Sequence, residues 1–201
     1  LAGPRLSGVE RLPAFYFDLA SLEAYLSAER ILSLMPAPVE WIGIGAGELA
    51  APSDPAGQVG MAGERIASRG LQELRLPDPF PFDSRRPMLA ATYARQIGRA
   101  DPFALAAWRQ SFAAGRTLDD DGIAIAGSAC EMHPSALLTA VDTAAVAGEL
   151  DGATALARER QVRDVPAVWV PGEGDEPDLV FHGDDELEAA AAAVGERVPA
   201  P

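Results

Sequence analysis

The sequence predicts an α/β protein in which two strand-bearing ends flank an all-helical middle. Short apolar runs fall at residues 14–19, 38–44, 166–170 and 179–183, near the two ends of the 201-residue chain. Between them, from about 84 to 160, the pattern is helical and carries no strand signal. Proline and glycine stand where such elements start and stop.

AFYFDL (14–19) follows Pro13 and reads as a buried strand. SLEAYLSAERILSLM (21–35) has helical spacing through Leu22, Tyr25, Leu26, Leu32 and Met35, with Glu29 interrupting the stripe. Ser21 is a favoured N-cap type and Pro36 a stop. PVEWIGI (38–44) reads as a second strand. Residues 45–60, with four Gly and two Pro, are expected to form a loop, and a short helix is expected over 61–69, closed by Gly70. LPDPFPFD (76–83) is punctuated by proline and extended.

The helical block follows. Pro87 lies in the first turn of a helix ended by Gly98. Asp101 is expected as the next N-cap, with Pro102 at the first helical position and Gly115 at the end. Further helices are expected from Asp120, from Pro134 with His133 as cap, and from 142 to 160. PAVWV (166–170) and LVFHG (179–183), separated by a Gly- and Pro-bearing turn, read as a hairpin. An Ala-rich helix over 184–198 completes the chain. The order β-α-β, helical block, α-β-β-α is that of a thioredoxin-like fold with a helical insertion. It divides the chain into a discontinuous thioredoxin-like domain, 14–60 and 155–198, and an insertion, 61–154.

Composition narrows the chemistry. The 16 basic residues are all Arg, and Lys and Asn are absent. That removes Schiff-base and P-loop lysine chemistry. One cysteine, Cys130, rules out an intrachain disulfide and a CxxC pair, and it reads as a structural thiol. Two histidines, His133 and His182, form no metal-binding pair, so no metal is expected. A net charge of −14 disfavours nucleic acid and anionic membranes, because phosphate binding needs clustered cations. No apolar run approaches the ~20 residues of a membrane span. The opening LAGPRLSGVERLP has no signal-peptide pattern, so a cytoplasmic location is expected.

Two places invite function. At the strand-to-helix junction FDLASLEAYL (17–26), a helix N-terminus presents unpaired N–H groups and a positive dipole end. Ser21 there reads either as a plain N-cap or as a hydroxyl that donates to a bound anion. Val165-Pro166 precedes a strand. Its proline reads as a strand-start residue or as a cis peptide that leaves the Val165 backbone open to a peptide-like ligand.

These places carry a resemblance. FYFDLASLEAYL (15–26) resembles the F-Y-F-D-x-x-S-P-Y-x-Y-L opening of the DsbA-like thioredoxin family, in the branch of 2-hydroxychromene-2-carboxylate isomerases and kappa-class glutathione transferases. FPFDSRRPMLAATYA (80–94), VRDVPAVWV (162–170) and FHGDDELE (181–188) resemble three later segments of that branch, in the same order. The resemblance implies a catalytic Ser21 that hydrogen-bonds the glutathione sulfur, where redox relatives carry the first Cys of CxxC. It implies Val165 and Pro166 beside the cysteinyl part of glutathione, and Gly183, Asp184 and Asp185 at its γ-glutamyl end. Asp83, Arg85 and Arg86 would stand at the edge of the substrate cleft with Leu22 and Glu23, and His182 would neighbour the site. Glutathione or another low-molecular-weight thiol is the implied cofactor, and a homodimer is implied by analogy.

The chain departs from the branch pattern. Leu22-Glu23 replaces Pro-Tyr, Asp83 replaces Asn, Asp164 replaces Gly and Glu186 replaces Arg. Glutathione is a net anion. At an effective dielectric of about 20, like charges ~6 Å apart repel by about 3 kcal/mol before screening. The sequence therefore supports two functions: a thiol-dependent isomerase or transferase acting on a small electrophilic or aromatic-pathway substrate, or a redox-inactive module that binds a peptide or small molecule. Without CxxC, dithiol-disulfide exchange at this site is not available to either.

Overall fold

The structure is a computed structural model that describes residues 11–49 and 55–197. Residues 1–10, 50–54 and 198–201, which include part of the loop expected over 45–60 and the last position of the helix expected over 184–198, lie outside the described residues. Four strands form one sheet: β1 (Ala14–Phe17), β2 (Glu40–Gly43), β3 (Ala167–Val170) and β4 (Leu179–His182). Their order is β2-β1-β3-β4. β1 and β2 are parallel, with Phe15 opposite Trp41. β3 runs antiparallel to β1 and pairs with β4 as the hairpin read from the sequence.

Alternation along β1 sorts its side chains onto two faces. Phe15 and Phe17 enter the main core with Trp41, Val168 and Val170. Ala14 and Tyr16 enter a smaller core with Ile42, Ala167, Trp169 and Ala157. On that second face the Arg160 guanidinium lies 3.7 Å from the Trp169 ring and donates to the Tyr16 hydroxyl at 2.7 Å. All three tryptophans are buried, each with at most 5% exposure.

The parallel β1–β2 pair is joined by α1 (Leu22–Leu34), which starts at Ser21. Glu29, the break in its apolar stripe, is matched from outside by Arg109 in a two-point pair of 2.7 and 2.8 Å. The helical block comprises α2 (Pro55–Ser68), α3 (Arg85–Gln96), α4 (Ala100–Trp108), α5 (Asp120–Ala129), α6 (Pro134–Val141) and α7 (Ala144–Glu159). The terminal helix α8 (Leu187–Arg197) packs on α1, β3 and β4.

Several expectations are corrected. The helix expected at 61–69 begins at Pro55, so much of the expected loop is helical. Gly57, Gly60 and Gly63 recur every three residues along it, and their low helix propensity hid it. Asp101 is not the N-cap of α4. Arg99 is, and Asp101 sits inside the first turn, where a carboxylate favours the helix dipole. After Trp108 the helix widens into a π-helical turn, Arg109–Ala113. His133 occupies the α6 cap position, but its ring meets the Ser135 hydroxyl at 2.9 Å and caps nothing. Asp184–Glu186 is a 3₁₀ turn ahead of α8. The expected domain boundaries at 60/61 and 154/155 each fall inside a helix. One continuous core spans both parts, from Phe15 in β1 to Phe112 in the π turn.

Candidate functional site

Ser21 holds the start of α1. Its φ of −85° and ψ of 116° are extended, and its Oγ accepts the Ala24 N–H at 3.1 Å. The same hydroxyl donates to the Val165 carbonyl at 3.4 Å. That contact is long for an O–H···O bond, so the hydroxyl proton is weakly held and free to turn to a better acceptor. The Leu22 and Glu23 N–H groups belong to the first turn and have no intrahelical partner. Ser21 therefore presents a hydroxyl, two amides and a helix dipole on one side of a cavity of about 430 Å³.

The cavity is built from four parts of the chain. The β1–α1 junction gives Asp18, Ala20, Ser21, Leu22 and Glu23. The turn after β2 and α2 give Ala46, Gly47, Gln58, Met61 and Arg65. Phe80, Pro81, Phe82 and Ser84 form an aromatic wall, braced from behind by Phe112 of the π turn at ring distances of 5.9 and 6.3 Å. Asp164, Val165 and Asp185 close the far side. The Val165–Pro166 peptide is cis, as are Asp78–Pro79 and Phe80–Pro81. The Pro166 carbonyl accepts the Gly183 N–H at 2.8 Å, which ties the start of β3 to the end of β4.

Asp18, which ends the FYFD match, holds the site together, a part that its motif position does not mark. It is 3% exposed, at the floor of the cavity. Its carboxyl accepts from Ala20 N at 2.8 Å, Ala46 N at 3.0 Å and Ser84 Oγ at 3.0 Å. It thus pins the β1–α1 junction, the turn after β2 and the start of α3 to one point. Burial pushes its pKa above the usual carboxylate range, against the pull of those hydrogen bonds. The available signal was a carboxylate ending an otherwise apolar run, FYFD.

Behind the cavity lies a buried ion cluster. Asp184 has no exposed surface. Its carboxylate accepts from both terminal nitrogens of Arg69, from Arg30 Nη1 at 3.2 Å and from Ser27 Oγ at 3.3 Å, and Arg65 Nη1 stands 3.6 Å away. Its backbone N–H donates to Glu23 Oε1 at 3.1 Å. Burial raises its pKa, but Arg69 and Arg30 outweigh that and hold it below the ordinary aspartate value. Gly183, with φ 83° and ψ 163°, makes the turn that brings this N–H to Glu23. A Cβ on Gly183 would stand 3.0 Å from Glu23 Oε1.

The structure brings some expected residues together and not others. Ser21, Leu22, Glu23, Val165 and Asp185 line the cavity, with Pro166 and Gly183 adjoining it. Asp184 does not face a ligand: it is enclosed by its arginines. Arg85 and Arg86 are turned away from the cavity. Arg85 pairs with Asp151 at 3.1 Å, and Arg86 pairs with Asp120 and, at 2.8 Å, with Asp142. Asp83 is exposed and accepts the Arg85 N–H at 2.9 Å, a turn contact rather than a cleft contact. His182 is also off the cavity: its Nε2 accepts the Arg163 N–H at 3.1 Å, and burial lowers its pKa. Glu186 accepts the His182 N–H at 2.7 Å, so it too is spent on the fold. Arg65, unmarked in the sequence, is the one cation among the described residues that line the cavity. Cys130 is buried at the end of α5, with its thiol pKa raised by burial.

Residues 64–195 match the family described as DSBA-like thioredoxin domain. The chain belongs to this family. Among solved structures, this DsbA-like chain is similar to a 2-hydroxychromene-2-carboxylate isomerase, with a TM-score of 0.76 and 21% identity over 92% of this chain and 95% of that one. It is similar to a probable DsbA oxidoreductase from Streptomyces coelicolor, with a TM-score of 0.71 and 20% identity over 93% and 91%. It is also similar to the cytosolic disulfide reductase DsbM from Pseudomonas aeruginosa with GSH, with a TM-score of 0.63 and 12% identity over 92% and 96%. At these identities the likeness establishes the DsbA-like fold. Comparison with curated proteins gave no match. No helix among the described residues is long and apolar enough to cross a membrane, and no group of them could hold a metal ion.

Proposed function

We propose that this DsbA-like protein is a thiol-cofactor-dependent isomerase or transferase whose cavity binds a low-molecular-weight thiol at Ser21. One observation carries the reading: a serine stands at the helix N-cap, its hydroxyl proton held only by a 3.4 Å contact, at the edge of a cavity large enough for a small molecule. The similarity to an isomerase and to a relative solved with GSH adds weight. The sequence has a single cysteine, buried away from this site, so disulfide exchange between paired thiols is not the reaction.

The residues fit the sulfur of such a cofactor. A thiol bound there would supply a nucleophile that adds reversibly to an unsaturated carbon, so that a bond can rotate before release. The chain's part is to favour that sulfur's charged form. The Ser21 hydroxyl turns from Val165 to donate to it, and the first-turn amides and dipole of α1 add positive potential. The Phe80 and Phe82 wall offers an apolar face to an aromatic or electrophilic substrate. The residues do not fit the rest of glutathione equally well, because carboxylates line the same cavity. A cytoplasmic location accords with the cytosolic relative.

A second reading is a redox-inactive binding module without catalysis. It is favoured by Asp18, Glu23, Asp164 and Asp185, carboxylates that line the cavity and oppose an anionic thiol. Calorimetric titration with glutathione and other small thiols separates the two, with Ser21→Ala as control. Thiol binding that weakens at least about tenfold in Ser21→Ala supports the first reading. Absence of binding by every thiol sinks it and leaves the second.

A further inference from the structure

The Val165 N–H donates to the carboxylate of its own neighbour, Asp164 Oδ1, at 2.8 Å. The Val165 carbonyl accepts from Ser21 Oγ. Both backbone groups at the start of β3 are thus occupied from inside the protein. A ligand that approached the N–H with a carbonyl or carboxylate would compete with Asp164 and meet its negative charge. A ligand that approached with a donor would find an acceptor in place.

The surroundings act in the same direction. Asp18, Glu23, Asp164 and Asp185 line the cavity, against Arg65 alone among the described lining cations. Arg65 is itself shared: Nη2 lies 2.6 Å from Asp185, and Nη1 lies 3.7 Å from Glu23 and 3.6 Å from Asp184. Glu23 takes the Asp184 N–H as well. Positive potential is therefore concentrated at Ser21 and the α1 N-terminus, while the rest of the rim is negative. One small anionic atom is welcomed at Ser21, and a carboxylate on the body of the same ligand is repelled.

We infer that the site selects a thiol whose body carries no net negative charge, either uncharged or amine-bearing, and that Asp164 is the residue that sets this selectivity. The inference rests on the thiol-site reading above. Asp164 acts in two separable ways, by charge and by holding the Val165 N–H. Asp164→Asn removes the charge and keeps an oxygen for the N–H. Asp164→Gly removes both.

The test compares glutathione with its bis-carboxamide, in which each carboxylate is replaced by a carboxamide of nearly the same size. Affinities are measured by calorimetry for the wild type, Asp164→Asn and Asp164→Gly, at low and high salt. The wild type is expected to bind the bis-carboxamide about tenfold or more tightly than glutathione, with a preference that shrinks as salt is added. Both variants are expected to bind glutathione several-fold better than the wild type, with the larger gain in Asp164→Gly. Wild-type affinity for glutathione equal to or above that for the bis-carboxamide overturns the inference and leaves the thiol-site reading standing. A preference unchanged in both variants removes Asp164 from the role. If neither molecule binds to any of the three proteins, the thiol-site reading fails and the inference falls with it.

Discussion

Replacing Asp184 by Asn would strip the charge from the centre of the cluster behind the cavity. The aspartate is fully buried, and the side chains of Arg30, Arg69 and Arg65 around it are 23%, 24% and 28% exposed. Removing one partner from a fully buried ion pair costs about 3–5 kcal/mol, because the other charge is left unpaired. Here water reaches about a quarter of each arginine, and Glu188 and Asp185 remain as partners for Arg30 and Arg65. The loss is therefore set below that range, at about 2–3 kcal/mol. For a domain of this size that corresponds to roughly 4–12 °C in Tm. Urea unfolding at neutral pH measures it, with Glu188→Gln at the exposed rim as a control expected to cost under about 1 kcal/mol.

The pH dependence adds a sign. Burial pushes the Asp184 pKa up, but Arg69 and Arg30 bring it below the ordinary value in the folded protein. A group lowered on folding contributes stability above its unfolded pKa and loses it as pH falls through its folded pKa. The gap between wild type and Asp184→Asn should therefore be fullest at neutral pH and close in acid, below the ordinary aspartate range. A loss under about 1 kcal/mol at neutral pH, or a gap that widens in acid, would refute the picture of a charge-bearing clamp.

Three further outcomes follow from single residues. Ser21→Cys puts a thiol at the N-cap, and its alkylation rate against pH should give a pKa below the ~8.5 of a free cysteine; a value at or above that would mean the neighbouring carboxylates dominate the helix terminus. Gly183→Ala forces a side chain into a backbone region reserved for glycine, against Glu23, and chemical denaturation should show a loss of about 1–3 kcal/mol. Cys130, buried and with its pKa raised, should resist thiol reagents in the folded protein and react on unfolding; fast labelling of the native protein contradicts the packing of α5.

The strands and most helices were legible because each carries a local signal. Phe15 and Phe17 alternate with Tyr16, Ser21 caps α1, Pro134 opens α6, and Gly98 and Gly115 end their helices with positive φ. What escaped was set by tertiary contact. α2 extends into the expected loop, where Val59 packs against the core alongside Ala62 and Ile66 despite the glycines around them. The π turn has no signature in RQSFA; packing of Phe112 on Tyr25, Phe80 and Phe82 surrounds it. At the site, Ser21, Glu23 and Val165 were found because they sit at element junctions in matching segments. Arg65 and Met61 carry no signal because they reach the cavity from within a helix, Arg65 from its last turn, whose sequence marks no site. Arg85, Arg86 and Asp184 are ordinary surface types in the sequence. Only the fold reveals that the first two are paired away from the cavity and that the third is enclosed.

The proposed function requires Ser21 and the α1 N-terminus to favour a bound thiolate. The most direct measurement follows the ultraviolet absorbance of thiolate for glutathione bis-carboxamide against pH, free and bound to the protein. Cys130 gives the background, read from the protein alone. Near neutral pH the bound thiol is expected to have a thiolate fraction about tenfold or more higher than the free one, a difference lost in Ser21→Ala. A bound thiol that titrates like the free one, or one shifted equally in wild type and Ser21→Ala, contradicts it.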